Sequence, residues 1–405
     1  MKRLIAINVD LSARSLPILI CVAGNSCLPS NICMPSTPTV PNALVNLSTA
    51  IFNRPIRHQT STMASKGSVF LIGPGFIGLQ ILGELLAEGY PVTALVRRDE
   101  AKASLEKLGA KTVRGSLDDK DIIRTAAAAA DIVIHTASAD HLPSAAAALE
   151  GISERAKAGK SAIYIHTSGC SAITDGSNGD HVSDKIYEDD KPETIDSIAD
   201  DAPHRSIDLA ILKSRKELGT KAKISIVLPP VIYGLGKENR ISIQIPTMTR
   251  FALKHGYAGY VGGGKAVWGH IHVADLARGY MTILHYMEST PADKVLENPY
   301  FFAENGEEHS WERCAEEIGK ALKQAGKIQD ATPRQIPTDL YSYLFGDWSL
   351  PVMGQNARNR ANRLRALGWK PQEKNSFDSL VNDELPIILA EDLSDWHGYA
   401  APVAS

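Results

Sequence analysis

From Ser68 to about Pro230, short apolar runs alternate with stretches carrying Ala, Leu, Glu and Lys at helical spacing. The runs "SVFLI", "VTALV", "KTVRG", "DIVIHTA", "AIYIHTS" and "ISIVLPP" read as strands, most of them almost unbroken in apolar residues. Strands of that kind are covered on both faces, and strands alternating with helices form a parallel sheet flanked by helices. The fold class expected is therefore α/β, a doubly wound parallel sheet of Rossmann type over about 66–235. After Tyr233 the pattern loosens into helices, near 309–325 and 375–391, with short extended pieces such as "PYFFAEN" at 299–305. We expect there a smaller C-terminal α/β lobe, about 236–395, closing a substrate cleft, and a short tail over 396–405. The acidic stretch "KIYEDDKPETIDSIADDAP" reads as a solvated excursion near the strand ends.

The first 62 residues are different. They hold Lys2, Arg3, Arg14, Arg54 and Arg57 against the one acid Asp10, with many Ser, Thr and Pro and no sustained period. Such a leader is either disordered or a mitochondrial transit peptide, with Met63 standing where a cytoplasmic chain would begin. Its apolar run "LPILICVAG" is too short for the ~20 residues that span a bilayer. Neither a membrane nor a nucleic acid is an expected partner, since the net charge is −3 and no basic face stands out. Cys21, Cys27, Cys33, Cys170 and Cys314 form neither a CxxC pair nor an even framework, which suits a reducing compartment and no zinc site. The partner expected is a small-molecule substrate, with homodimerisation open.

The chemistry begins at "LIGPGFIG". Gly73, Gly75 and Gly78 stand between the first strand and the helix "FIGLQILGELLAEG". There GxGxxG allows a tight turn, a close approach of backbone to a pyrophosphate, and close packing of helix on strand. The N–H groups opening the helix, at Phe76 and Ile77, would face the phosphates. A second strand follows on schedule, and its end selects between nicotinamide cofactors. A carboxylate there suits the ribose 2′-OH of NAD, whereas this chain puts Arg97 and Arg98 at that point. Guanidinium groups would grip a 2′-phosphate, so NADP(H) is favoured over NAD(H), with Asp99 and Glu100 just beyond as competing partners.

The order of motifs resembles that of the extended and atypical short-chain dehydrogenase/reductases, which include nucleotide-sugar epimerases, dihydroflavonol-type reductases and NmrA-like proteins. "GPGFIG" resembles their glycine turn, shortened by one residue, and "GSLDD" at 115–119 resembles their adenine-contacting GDLxD, with Leu117 and Asp118 in the matching places. "HTAS" resembles the fourth-strand end that flanks the cofactor through Thr136 and Ala137. "YIHTSG" resembles the fifth-strand end bearing the active-site Ser, here Ser168. "LPPVIYG", with Pro230, resembles the proline segment beside the nicotinamide, and "VWGHIHVADLARGY" resembles the substrate-lobe "FVHVDDLA". His270, His272 and Asp275 in that last stretch are accounted for by the motif, and no metal is expected. "VGGGKAVWG" at 261–269 reads as a loop bordering the cleft, with Trp268 as its wall.

The resemblance also implies a Tyr four residues before a Lys, the acid/base pair of the family. Here Lys213 takes the lysine place in "HRSIDLAILKSRKELG", as catalytic and ribose-binding group, but Leu209 stands four before it, and Leu212 stands four before Lys216. Stand-ins for the tyrosine are His166, which shares a strand face with Ser168, and the tyrosines Tyr187 and Tyr233. The expected function is an NAD(P)H-dependent oxidoreductase acting on a carbonyl or alcohol of a small organic metabolite, with Ser168 polarising the oxygen. The alternatives are an epimerase or dehydratase of the extended class and a non-catalytic NADP sensor of NmrA type.

Overall fold

The computed structural model describes residues 66–399. The leader, its cysteines and the last residues of the tail lie outside them. Strands β1 (Val69–Ile72), β2 (Val92–Val96), β3 (Lys111–Arg114), β4 (Ile132–His135), β5 (Ile163–Thr167) and β6 (Lys223–Leu228) are those expected from the sequence. They alternate with helices α1 (Phe76–Ala87), α2 (Asp99–Lys107), α3 (Lys120–Ala129), α4 (Leu142–Lys157) and α5 (Arg205–Leu218). β7 (Val231–Tyr233), α6 (Gln244–His255), β8 (Val267–His272), α7 (Val273–Ser289), β9 (Tyr300–Phe302), β10 (Glu308–Ser310) and α8 (Trp311–Gln324) follow.

The main sheet has seven strands in the order β9-β6-β5-β4-β1-β2-β3, all parallel. The order reverses between β1 and β4, the switch point at which doubly wound sheets open a crevice. Side chains on β5 alternate between the two helical layers. Thr167 bonds Tyr280 of α7 at 2.5 Å, whereas His135, in register with His166, bonds Ser144 of α4 at 2.9 Å. α3, α4 and α5 pack together in one layer, and α1 packs on α7 in the other. Every residue of β1, β4 and β5 is buried, which is why these strands lack polar alternation.

Three features of the later chain differ from expectation. "PYFFAEN" is not part of a separate lobe, because β9 pairs with β6 and completes the main sheet. A smaller three-stranded sheet, β10-β8-β7, and two short two-stranded pairings, 259–260 with 334–335 and 187–188 with 359–360, make up the remainder among the described residues. The acidic stretch is not simply solvated: Asp189 is buried and accepts the backbone N–H groups of Phe302 and Arg363, both at 2.9 Å. Its desolvated carboxyl is pushed up to about 6. Trp268 is core rather than cleft wall, buried near Trp311 with its indole N–H donated to the Gln355 carbonyl at 2.6 Å. The glycines before it pack on the turn at 178–179, where Gly263 N–H meets the Asn178 carbonyl at 3.1 Å. Among the described residues, no helix is long and apolar enough to cross a membrane.

Candidate cofactor cleft and active site

The glycine turn is built for close approach. Gly73 has φ +93°, and a Cβ there would lie 2.4 Å from the Ala137 backbone. One on Gly78 would lie 2.1 Å from the Gly73 carbonyl oxygen, so this position binds helix to strand. A Cβ on Gly75 would meet nothing within 4 Å, which leaves that side of the turn open. No side chain caps α1, so the N–H groups at Phe76 and Ile77 keep their capacity for an anion. Thr136 ties the turn to the end of β4 by donating its hydroxyl to the Gly73 carbonyl at 2.7 Å. A cavity of about 220 Å³ runs from Gly75 and Phe76 past Thr136 and Ala137 to Pro230 and Ser242. It bridges the ends of β4 and the β6–β7 turn, the two strand ends that flank β5. The residues present fit a dinucleotide, whose pyrophosphate the N–H groups opening α1 would hold.

At the far side of the turn, Arg98 lines a second cavity of about 250 Å³ with Pro74 and Arg240. Arg97 and Arg98 are exposed and form no ion pair among the described residues. Asp99 is taken by Arg114 at 3.0 Å, and Arg240 by Glu238 at 3.0 Å. Leu117 is half-buried against the core. Asp118 points outward and accepts from the His141 ring at 3.2 Å, while its neighbour Asp119 forms the turn by accepting Ser116 N–H at 2.6 Å.

Lys213 and the three stand-ins for the missing tyrosine have settled positions. Lys213 is exposed on α5 and has no polar partner among the described residues; at five residues, or about 140° round the helix, from Asp208, it faces away from Ser168. Lys213 was expected as a catalytic and ribose-binding group, and its side chain lies in solvent, apart from the Ser168–Asp208 pair. Tyr187 is buried in a short pairing with Asn359. The Tyr233 hydroxyl donates to the Lys374 carbonyl at 2.7 Å and accepts from Asn305 at 2.9 Å, so it belongs to the second sheet's packing. His166 shares Ser168's face but points into the helical layer, bonding the Tyr164 hydroxyl at 3.0 Å through Nδ1. Burial and the neighbouring His135 and His204 hold it neutral, its pKa well below the ordinary value.

The group that meets Ser168 is Asp208, absent from the expected set. Ser168 Oγ donates to Asp208 Oδ2 at 2.9 Å, and both residues are wholly buried. Burial pushes this carboxyl up to about 7, against the opposing pull of the Ser168 bond. One turn earlier, His204 begins α5 in the left-handed region, φ 63°, a backbone state that non-glycine residues adopt at a cost. Its Nδ1 lies 2.6 Å from Asp140 Oδ1, on the loop that leaves β4. His204 Nε2, His166 Nε2 and Asp208 Oδ1 are all buried without a hydrogen-bond partner. An unpartnered buried polar atom costs ~1–3 kcal/mol, and these three belong to side chains that act on one another electrostatically. The signal in the sequence was a His and an Asp at the same four-residue spacing as the family's Tyr and Lys.

The other motif residues are structural. His272 caps α7 by accepting Ala274 N–H at 3.1 Å, and buried Asp275 accepts the N–H groups of Gln372 and Glu373 at 2.8 and 3.0 Å.

Residues 73–191 match the family described as NAD(P)H-binding. That match spans the glycine turn, β2 to β5 and the beginning of the acidic stretch, so this part of the chain is an NAD(P)H-binding domain. The chain is similar to the oxidase ucsJ of Acremonium sp., 29% identical over 327 residues that cover 73% of this chain and 90% of that protein. An uncharacterized protein of Saccharomyces cerevisiae is 26% identical over 319 residues, 75% of this chain and 95% of its own. Among solved structures, the UDP-glucose 4-epimerase of Thermotoga maritima aligns with a TM-score of 0.58 at 16% identity, covering 80% of this chain and 100% of that one. That likeness concerns the fold alone.

Proposed function

We propose that this reductase-like chain is an NADP(H)-dependent oxidoreductase acting on a carbonyl or alcohol of a small organic metabolite. The observation that carries the reading is the cradle at Gly75. It opens onto an apolar-walled cleft between the end of β4 and the β6–β7 turn, and on its other side Arg98 lines a second cavity, with Arg97 and Arg98 both free of ion pairs among the described residues. When bound, the nicotinamide supplies or accepts hydride. The chain's share is to hold the pyrophosphate on α1, to exclude water with the Ile232 and Ile241 walls, and to manage the proton. Arg97 and Arg98 would select the 2′-phosphate, because a charge-assisted hydrogen bond to it is worth ~1.5–3 kcal/mol and NADH offers no such partner.

The test is nicotinamide fluorescence titration with NADPH and NADH, together with turnover on a panel of aldehydes, ketones, quinones and alcohols. Arg98→Ala is expected to lower the preference for NADPH by about 10–100-fold while leaving NADH affinity unchanged. Equal loss for both cofactors would refute the role of Arg98. NADPH binding without turnover of any panel member would favour the sensor reading, to which the absence of tyrosine at position 209 gives weight.

A further inference from the structure

Resting on the oxidoreductase reading, we propose that His204, held by Asp140, replaces the absent tyrosine as the group that gives the proton to the substrate oxygen and takes it back. His204 and Asp208 are four residues apart at the start of α5, and Asp208 reaches Ser168. The acid/base spacing sought at Lys213 is thus met one and a half turns earlier. Nδ1 of His204 is engaged by Asp140 at 2.6 Å, which leaves Nε2 as the ring's free nitrogen, buried and without a partner. A carboxylate on Nδ1–H fixes the tautomer and steadies the imidazolium, the arrangement by which a histidine serves as base and then acid. Asp140 lies three residues beyond Ala137, on the loop whose first residues line the cofactor cavity. The left-handed backbone at His204 is local strain at the residue itself, of the kind that gathers at reacting groups.

In the reducing direction the carbonyl carbon gains a hydride from the reduced nicotinamide, and the C=O π electrons move to oxygen. That oxygen takes the Nε2 proton, leaving neutral imidazole with Nδ1–H still on Asp140. The proton returns from solvent to Nε2 once product has left, and Asp140 holds Nδ1–H throughout. The oxidising direction reverses each step. The groups around His204 are Asp140 on the β4 loop, Asp208 and Arg205 on its own helix, and His166 on β5, which burial keeps neutral. Ser168 bonds the substrate oxygen and Asp208 holds Ser168, so Asp208 is a positioning residue.

The test compares full-length wild type with His204→Asn, chosen because Asn tolerates the left-handed backbone, and with Asp140→Asn. NADPH binding is read by fluorescence, and carbonyl reduction by absorbance from pH 5.5 to 9. His204→Asn is expected to bind NADPH within about twofold of wild type, to lose about 100-fold or more in kcat, and to lose the alkaline limb of the kcat profile. Asp140→Asn is expected to shift that limb to lower pH. Unchanged kcat and profile in His204→Asn overturn the assignment alone, and so does loss of NADPH binding in step with rate. If His204→Asn does not fold, an unchanged profile in Asp140→Asn overturns it. A wild type that reduces no panel member overturns the oxidoreductase reading and this assignment with it.

Discussion

Asp208→Asn should stabilise the protein in alkaline solution and leave it nearly unchanged in acid. The wholly buried carboxyl of Asp208 titrates near 7 in the folded chain, against an ordinary 3.8. Between those values the folded chain holds a proton that the unfolded chain has released. Stability from this group is therefore present below pH 4, falls as pH rises, and levels off above about 7. At about 1.4 kcal/mol per pH unit, the interval amounts to on the order of 4 kcal/mol. Asparagine resembles the protonated acid and still accepts from Ser168, but its amide N–H meets the place where Oδ1 has no partner, at a cost of ~1 kcal/mol. The expected net gain is roughly 3 kcal/mol at pH 8, with a change of about −1 kcal/mol at pH 4.

Urea unfolding followed by tryptophan fluorescence at pH 4.5 and 8 measures both quantities, given buried Trp268 and Trp311 as reporters. Glu384, also raised to about 7, and Asp189, raised to about 6, contribute pH dependence of the same sign. Both remain in wild type and variant alike, so the difference between the two proteins isolates Asp208. A stability difference that does not change between pH 4.5 and 8 would refute the reasoning, because it would mean that Asp208 ionises as readily in the folded chain as in water.

Two further outcomes are expected. Gly73→Ala places a Cβ against the Ala137 backbone at a positive φ, so it should cost more than about 2 kcal/mol and abolish NADPH binding, whereas Gly75→Ala should fold normally and lose affinity; thermal melts and fluorescence titration separate the two. Lys213→Ala should change stability by less than about 0.5 kcal/mol and leave NADPH affinity and kcat unaltered, while a tenfold loss of either would restore the family lysine role to Lys213.

What could be read from the chain was whatever its local period or turn chemistry dictates. β1, β4 and β5 are legible because burial on both faces demands unbroken apolar runs, the partly exposed edge strand β3 because it falls on schedule in the strand–helix alternation, and the glycine turn because only glycine meets the φ at 73 and the contact at 78. β9 was legible as a strand but not as a member of the main sheet, since "YFF" carries no mark of which edge it will join. Lys213 was placed by resemblance to a spacing alone, and helical geometry turns it to solvent. His204, Asp208 and Asp140 were invisible for a related reason. The eye follows residue types through a motif, whereas the fold keeps positions, and an Asp on the β4 loop meets a His 64 residues later only when the helical layer packs.

This arrangement bears on whether the missing tyrosine means a missing reaction. A protein that only holds a dinucleotide needs the turn, the α1 N-terminus and the arginines, none of which involves the layer between α4, α5 and β5. In that layer the chain buries Asp208, His204 and His166 and joins them by specific contacts, His204 to Asp140 on the β4 loop and Asp208 to Ser168 at the end of β5. A carboxylate on one ring nitrogen and a buried carboxyl on a serine are arrangements that proton transfer uses and that dinucleotide binding alone does not require. Leucine at 209 is therefore compatible with the proposed reaction, because a His and an Asp at the same four-residue spacing stand at the beginning of the same helix.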